Sequence, residues 1–123
     1  GVKDGPTVYF TGDTDYNDIL GIAVKPHRPD VMVAVVNSAF RNLSPREAAQ
    51  LAKTIGPRWV VPCHHDLFRD NSLPDRLLRT NLLIQGIVDT FCPLPHGGVG
   101  FFHKPARGAV TYVASAASRR SRR

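Results

Sequence analysis

The sequence predicts an α/β fold, because strand-like and helical segments alternate along its 123 residues. Three observations support this prediction. Residues 31–36 form a continuous apolar run, as in strands that are covered on both faces. Residues 44–47 have the pattern that begins a helix, and residues 58–62 have that of a short strand directly after the helix. Strand, helix and strand in this order predict a parallel βαβ crossover.

The segment before this crossover contributes one further strand. Residues 7–11 are rich in β-branched and aromatic side chains and predict a strand that ends at Gly12-Asp13. Residues 15–20 predict a short helical turn at most, and the two prolines that follow predict a loop before the central strand.

The helix inside the crossover has clear signals at both ends. Ser44 is suited to the N-cap, Pro45 to the first helical position, and Glu47 to the position that closes a capping box. Gly56-Pro57 supplies a left-handed stop followed by a helix breaker. These residues predict a helix from about residue 45 to residue 55.

The C-terminal third predicts a second helix, a strand pair and a tail. Residues 72–75 have the pattern of a helix start, and Gly86 ends that helix. Residues 87–104 alternate short apolar pieces with proline and glycine, which predicts a hairpin or an edge strand pair. Residues 106–123 predict an arginine-rich, disordered tail.

The charge of the chain is concentrated at its C-terminal end. Four of the last five residues are arginines, and removing them from the formal net charge of +6 leaves only +2 for the body. A terminal charge run is usually a solvated tail. The body also lacks a basic stripe with interleaved aromatics, so nucleic acid is disfavoured as a partner.

Cysteine usage and hydropathy indicate the compartment. The two cysteines, Cys63 and Cys92, lack the dense spacing of a disulfide scaffold and are expected to be reduced. The apolar runs are shorter than the ~20 residues that cross a bilayer, and no leader-like segment opens the sequence. The sequence therefore predicts a cytoplasmic protein without membrane contact.

Two polar clusters follow predicted strands, where open α/β sheets place their ligand sites. The first is Gly12-Asp13-Thr14, in which the carboxylate of Asp13 can enter a crevice and meet a hard or borderline divalent cation. The alternative is that Asp13 only caps the turn that follows.

The second cluster is the run from Pro62 to Asp66, which contains two adjacent histidines. Neighbouring side chains on an extended segment point in opposite directions, so His64 and His65 are expected to have different roles. The alternative is one hydrogen-bonded histidine beneath the sheet and one exposed histidine.

In combination and order, these segments resemble the C-terminal half of the metallo-β-lactamase superfamily. The resemblance rests on Tyr9-Phe-Thr-Gly-Asp-Thr14, the strand at 31–36, the helix that begins at Ser44, and Val60-Val-Pro-Cys-His-His-Asp66. The Pro-x-His-His-Asp form is most similar to the ascorbate-6-phosphate lactonase group. The resemblance extends over residues 6–104.

The resemblance implies a site with two divalent metal ions, zinc or manganese. Asp13 would bridge the metals, His64 would be a terminal ligand of the second one, and a metal-bound hydroxide would be the nucleophile. His65, Asp66, Asn37 and Arg41 would orient ligands or contact the substrate. For these four residues the alternative is that they only cap and solvate loops.

The resemblance also implies a fold, namely the C-terminal half of the αβ/βα sandwich, with a mixed sheet and helices on one face. Residues 1–105 would form this half-domain. A half-sandwich leaves one apolar sheet face uncovered, which predicts a complementary N-terminal half or a homo-oligomer as partner.

The chain departs from the superfamily in its metal ligands. The His-x-His-x-Asp-His run of the first half is absent, and His27, His96 and His103 are isolated. A catalytic zinc normally has three protein ligands, so this chain alone is expected to bind metal poorly.

The function expected on this basis is a metal-dependent hydrolase that acts on a small ester or lactone, with or without a phosphate group. It would be active only with the complementary half present. One alternative is a non-catalytic binding module whose basic tail contacts nucleic acid or an acidic partner. Another is a degenerate relative that keeps the sheet as an interaction surface.

Overall fold

The computed structural model describes residues 3–37, 41–63, 74–95 and 97–114. These residues form five strands and three α-helices, together with two short 3-10 helices at Lys25–His27 and Val88–Thr90. In chain order the elements are β1 (Val8–Phe10), α1 (Asp18–Val24), β2 (Val31–Val35), α2 (Pro45–Ile55), β3 (Trp59–Cys63), α3 (Arg76–Ile84), β4 (Gly100–His103) and β5 (Thr111–Ala114).

The centre of the fold is a three-stranded parallel sheet with the strand order β1-β2-β3. In its register Val8 pairs with Val31, and Val31 pairs with Trp59. Because the strands are parallel, their carboxyl ends meet at one edge of the sheet. This arrangement confirms the predicted parallel crossover, in which α2 connects β2 to β3.

All three helices contribute to the core on one face of the sheet. Met32 and Val60 project from the sheet into a core that contains Leu51 of α2 and Leu78 of α3, and all four side chains are fully buried. Leu20 of α1 packs against the same core. Fully burying a side chain of this size stabilises a fold by roughly 1.5–3 kcal/mol, so this layer is a major source of stability.

The opposite face of the sheet is covered in part by the antiparallel hairpin of β4 and β5. Phe102 and Tyr112 of the hairpin pack against the cluster around Val31 and Val61. The indole Nε1 of Trp59 donates a hydrogen bond of 2.7 Å to the carbonyl of Val110, which fixes the hairpin to β3.

Part of that face remains open at β1. Val8 and Phe10 lie beside Val31 and Val33 in the register, and Phe10 is 69% exposed. The hairpin also has an exposed apolar pair, Phe101 and Val113, on its outer side. The described part of the chain therefore presents apolar surface on this side of the sheet.

The predicted start and stop of α2 are confirmed. Ser44 Oγ accepts a hydrogen bond of 3.1 Å from the N–H of Glu47, and Glu47 Oε1 accepts one of 3.0 Å from the N–H of Ser44. Gly56 adopts the left-handed conformation with φ of +79° and ends the helix.

Asp30 connects the amino ends of all three parallel strands. Its carboxylate accepts hydrogen bonds from the backbone N–H of Thr7 at 2.8 Å and from Lys104 Nζ at 3.1 Å. Its backbone carbonyl accepts from the N–H groups of Arg58 at 2.9 Å and Trp59 at 3.1 Å. One residue thus holds together the starts of β1 and β3 and the loop that follows β4.

Three expectations differ from the structure. The described strands form a parallel sheet and a separate hairpin, not one mixed sheet. Strand β5 lies within residues 106–123, which the sequence predicts as a tail, because Tyr112 packs on Trp59 at a ring distance of 6.1 Å. Helix α1 extends to Val24, beyond the predicted turn, because Leu20 and Val24 pack against the core, while the side chain of Asn17 caps its first turn.

Residues 64–73, residue 96 and residues 115–123 lie outside the described part of the chain. The predicted start of the second helix at residues 72–75 lies partly among them, and the described helix begins at Arg76. Within the described ranges, none of the helices combines the length and apolar character needed to cross a membrane.

Candidate metal centre

The candidate site lies at the carboxyl edge of the parallel sheet. Strands β1, β2 and β3 end at Phe10, Val35 and Cys63. The predicted ligands Asp13 and His64 follow the first and third of these ends in the sequence. Because parallel strands end at the same edge, the loop that carries Asp13 and the end of β3 lie on one side of the molecule.

Backbone and side-chain hydrogen bonds fix these strand ends to each other. The N–H of Thr11 donates to the carbonyl of Val33 at 3.0 Å, and Thr11 Oγ1 accepts from the N–H of Val35 at 3.1 Å. On the other side of β2, the N–H of Val36 donates to the carbonyl of Cys63 at 3.2 Å. The loop after β1 therefore begins at a residue that is hydrogen-bonded twice to β2.

Asp13 is exposed and lies within electrostatic range of Cys63. Gly12, with φ of +62°, turns the chain immediately after β1, in a conformation that favours glycine. Burial raises the pKa of the Cys63 thiol, and the Asp13 carboxylate raises it further. This effect places the Asp13 carboxylate near the carboxyl end of β3, one residue before His64.

The side chains of His64, His65 and Asp66 belong to the residues outside the described ranges. The structure thus brings the Asp13 loop to the strand end that precedes His64. The imidazole positions themselves remain predictions.

Asn37 has a structural role at the end of β2. Its side chain is buried, with 3% exposure, and its Oδ1 accepts a hydrogen bond of 3.2 Å from Asn42 Nδ2. This contact connects the strand end to the loop that leads into α2. The role of Asn37 toward ligand or substrate stays a prediction.

Arg41 lies at the same edge and contacts the loop that carries Asp13. Its guanidinium forms a salt bridge of 2.9 Å with Asp15, and its side chain is 86% exposed. Its backbone is left-handed, with φ of +65°, which is uncommon for a residue with a side chain. Asp15 was not among the predicted site residues, although it is two positions after Asp13 in the same loop.

The donors at this edge suit a divalent cation only in part. The Asp13 carboxylate offers oxygen, which zinc and manganese accept, whereas burial and Asp13 raise the pKa of the Cys63 thiol, which would have to lose its proton to bind a metal ion. Over the ranges that the structure describes, no three His, Cys, Asp or Glu side chains are grouped to hold a metal ion. Further ligands would have to come from outside these ranges.

Comparison with known proteins finds relatives that are named as hydrolases. The chain is 33% identical over 67 residues to a UPF0173 metal-dependent hydrolase of Thermodesulfovibrio yellowstonii, covering 54% of this chain and 25% of the relative. It is 40% identical over 68 residues to one of Anaeromyxobacter dehalogenans, covering 54% of this chain and 24% of the relative. No family model matches the sequence.

Solved structures share the fold at low sequence identity. Igni18, a metallo hydrolase from Ignicoccus hospitalis, matches with a TM-score of 0.64 at 16% identity, covering 87% of this chain and 40% of that one. The isothiocyanate hydrolase from Delia radicum gut bacteria matches with a TM-score of 0.61 at 20% identity, covering 77% and 39%.

Each of these matches covers less than half of the matched protein. The chain spans about a quarter of the length of the curated relatives, at 25% and 24% for the two described, and about two fifths of the solved structures, at 40% and 39%. The chain therefore has an α/β fold that matches part of two solved hydrolases, one of them named as a metallo hydrolase, and its sequence relatives are named as metal-dependent hydrolases.

Proposed function

We propose that this chain supplies Asp13 and His64 as ligands of a dinuclear metal site in a metal-dependent hydrolase. The observation that carries the proposal is the electrostatic contact between Asp13 and Cys63, since Cys63 immediately precedes His64. The similarity to metal-dependent hydrolases gives the same chemistry independent support.

The residues of this chain would hold the metals and position the substrate. Asp13 would be the ligand that the two cations share, and His64 would bind one of them. When bound, divalent zinc or manganese lowers the pKa of water enough to supply hydroxide near neutral pH. His65 and Asp66 would orient ligands or substrate from the same segment.

Arg41 is the candidate for recognising a negatively charged substrate. Its guanidinium is already at the carboxyl edge and is held there by Asp15 at 2.9 Å, with most of its side chain in solvent. A guanidinium pairs with phosphate or carboxylate through two parallel hydrogen bonds. The substrate class proposed is therefore a small ester or lactone that carries an anionic group.

The site would be completed by a complementary N-terminal half that carries a His-x-His-x-Asp-His run. The exposed side chains of Val8 and Phe10, on the sheet face that the hairpin leaves open, support this packing. Such a half, in the same or another polypeptide, would cover apolar surface and supply the missing ligands.

The test is a zinc titration of the chain alone and of the chain combined with the N-terminal half of a matching hydrolase. We expect tight binding of two zinc ions by the combination and only weak binding by the chain alone. Asp13→Ala and His64→Ala should each remove tight binding, while the control Asp89→Ala at the opposite edge should keep it.

Either of two results would contradict the proposal. One is binding of two zinc ions by the isolated chain with the affinity of the combination. The other is unchanged zinc binding by the combination after Asp13→Ala.

A further inference from the structure

A second concave site lies at the opposite edge of the molecule, where the parallel strands begin. It is a cavity of about 1010 Å³ between the loop before β2, the loop before β3 and the segment before β5. Ile22, Ile55 and Ile87 give it an apolar lining, in which Ile22 is 70% exposed, Ile87 is half-buried and Ile55 is buried. Because the candidate metal centre is at the carboxyl edge, this cavity is separate from it.

Three cationic side chains line the same cavity, namely Lys25, Arg28 and Arg58. Arg28 has a left-handed backbone, with φ of +47°, and its N–H donates to the carbonyl of Lys25 at 3.1 Å. This conformation places Arg28 at the C-terminal end of the 3-10 helix Lys25–His27, at the rim of the cavity.

The guanidinium of Arg58 is held in place by two contacts, neither of which is with a carboxylate. Its Nη1 donates a hydrogen bond of 3.0 Å to the carbonyl of Asp89. Its guanidinium carbon lies 3.9 Å from the centre of the Trp59 ring, in a cation–π arrangement. A guanidinium has five N–H donors, so these contacts leave donors for an anion.

The acidic residues of the cavity do not cancel these cations. Asp30 and Asp89 also line it. The carboxylate of Asp30 is already engaged by Lys104 at 3.1 Å and by the N–H of Thr7 at 2.8 Å. The cations of the lining therefore exceed the carboxylates that are available to neutralise them.

We propose that this cavity binds an amphipathic organic anion, that is, a carboxylate attached to an aliphatic body. The carboxylate would pair with Arg28 and Arg58, and the aliphatic body would lie against Ile22, Ile55 and Ile87. The combination of an apolar lining and surplus positive charge is complementary to this class of ligand, and to neither a bare inorganic anion nor a neutral lipid. The inference does not depend on the proposed hydrolase activity.

The molecule contains its own reporter for this site. Trp59 is the only tryptophan of the sequence, and its ring lies against Arg58. A carboxylate that pairs with Arg58 should change the fluorescence of Trp59. The experiment titrates the chain with octanoate, with octanamide as the neutral analogue and with inorganic phosphate as the anion without an aliphatic body.

We expect a saturable Trp59 response and a calorimetric binding isotherm with octanoate. Octanamide and phosphate should each bind at least about tenfold more weakly, since octanamide lacks the negative charge and phosphate lacks the aliphatic body. Arg28→Gln should weaken octanoate binding by about fivefold or more, as expected for the loss of a charged hydrogen bond. The control Arg79→Gln, on the exposed side of α3, should change it by less than about twofold.

Other results would overturn the proposal. The first is the absence of a calorimetric isotherm with octanoate, a measurement that does not depend on Trp59. The second is equal affinity for octanamide, which would exclude a role for the cations. The third is equal loss of affinity in Arg28→Gln and Arg79→Gln when circular dichroism shows both variants folded. Lys25→Gln provides a second variant at the same rim.

Discussion

The pKa of the Cys63 thiol is raised by burial and, in addition, by the carboxylate of Asp13. Asp13 lies in the loop after β1 and Cys63 is the last residue of β3, so the two residues are far apart in the sequence. Their electrostatic contact is a direct consequence of the parallel sheet, which brings the carboxyl ends of β1 and β3 to one edge. It is also the contact on which the proposed metal site rests.

This contact predicts how the reactivity of Cys63 depends on Asp13. Only the thiolate reacts with alkylating agents, so Asp13→Asn should lower the pKa of Cys63 and raise its alkylation rate by roughly twofold at pH 8. The measurement is iodoacetamide labelling of the metal-free chain, with the labelled cysteine identified by mass spectrometry. Asp89→Asn should leave the rate unchanged, and an equal rate in wild type and Asp13→Asn would show that the residues are not close.

Cys92 predicts a loss of stability at alkaline pH. Burial raises the pKa of its thiol from 9.0 to about 11, against a smaller opposing effect of Arg58. Between these values the unfolded chain releases a proton that the folded chain keeps. The free energy of unfolding should therefore be unaffected by this group below pH 9 and fall by roughly 1–3 kcal/mol as the pH rises to 11.

Urea unfolding followed by circular dichroism at pH 8 and pH 10.5 measures this effect. Tyr9, Tyr16 and Tyr112 also have pKa values raised by burial and titrate in the same region, so the comparison needs a matched variant. Cys92→Ala keeps the tyrosines and should lose less stability between the two pH values than wild type. Identical losses in both proteins would rule out the contribution of Cys92.

The capping box of α2 predicts a local stability effect. Ser44→Ala removes the hydroxyl that accepts from the N–H of Glu47, and should lower the free energy of unfolding by about 1 kcal/mol. Arg46→Ala, an exposed position of the same helix, is the control and should change stability by less than about 0.5 kcal/mol. A Ser44→Ala variant as stable as wild type would mean that water replaces the cap without cost.

The contact between α1 and α2 predicts a non-additive pair of substitutions. A Cβ added to the buried Gly21 would lie 2.6 Å from Cγ2 of Thr54, too close for two carbon atoms. Gly21→Ala should therefore destabilise the chain by about 1–3 kcal/mol, although alanine has the higher helix propensity. Thr54→Ser removes Cγ2 and should restore most of that loss in the double variant. Additive effects in thermal unfolding would exclude the clash.

The elements that could be predicted from the sequence are those whose signals are local. Ser44, Glu47 and Gly56 determine both ends of α2 through contacts within a few residues of each other. The apolar run of β2 likewise requires burial on both faces wherever it is placed. Because parallel strands end at the same edge of a sheet, the predicted parallel order also placed Asp13, which follows β1, near the end of β3.

The elements that were missed depend on partners distant in the sequence. Residues 111–114 are a short strand-like segment followed by the Ala/Ser- and Arg-rich end of the sequence, and they form a strand because Tyr112 packs against Trp59 and Phe102. In the same way, the pairing of Arg41 with Asp15 joins two loops whose relative position only the folded sheet determines. The periodicity of apolar residues along the sequence does not predict such contacts.

The bonds of Asp30 have a consequence for how the molecule tolerates change. Through its carboxylate and its carbonyl this residue anchors the starts of two strands and the hairpin loop, all on the side away from the candidate metal centre. These bonds do not involve the loop that carries Asp13. Insertions or exchanges in that loop should leave the bonds of Asp30 intact, so the carboxyl edge of the sheet can vary in sequence at little cost to the stability of the fold.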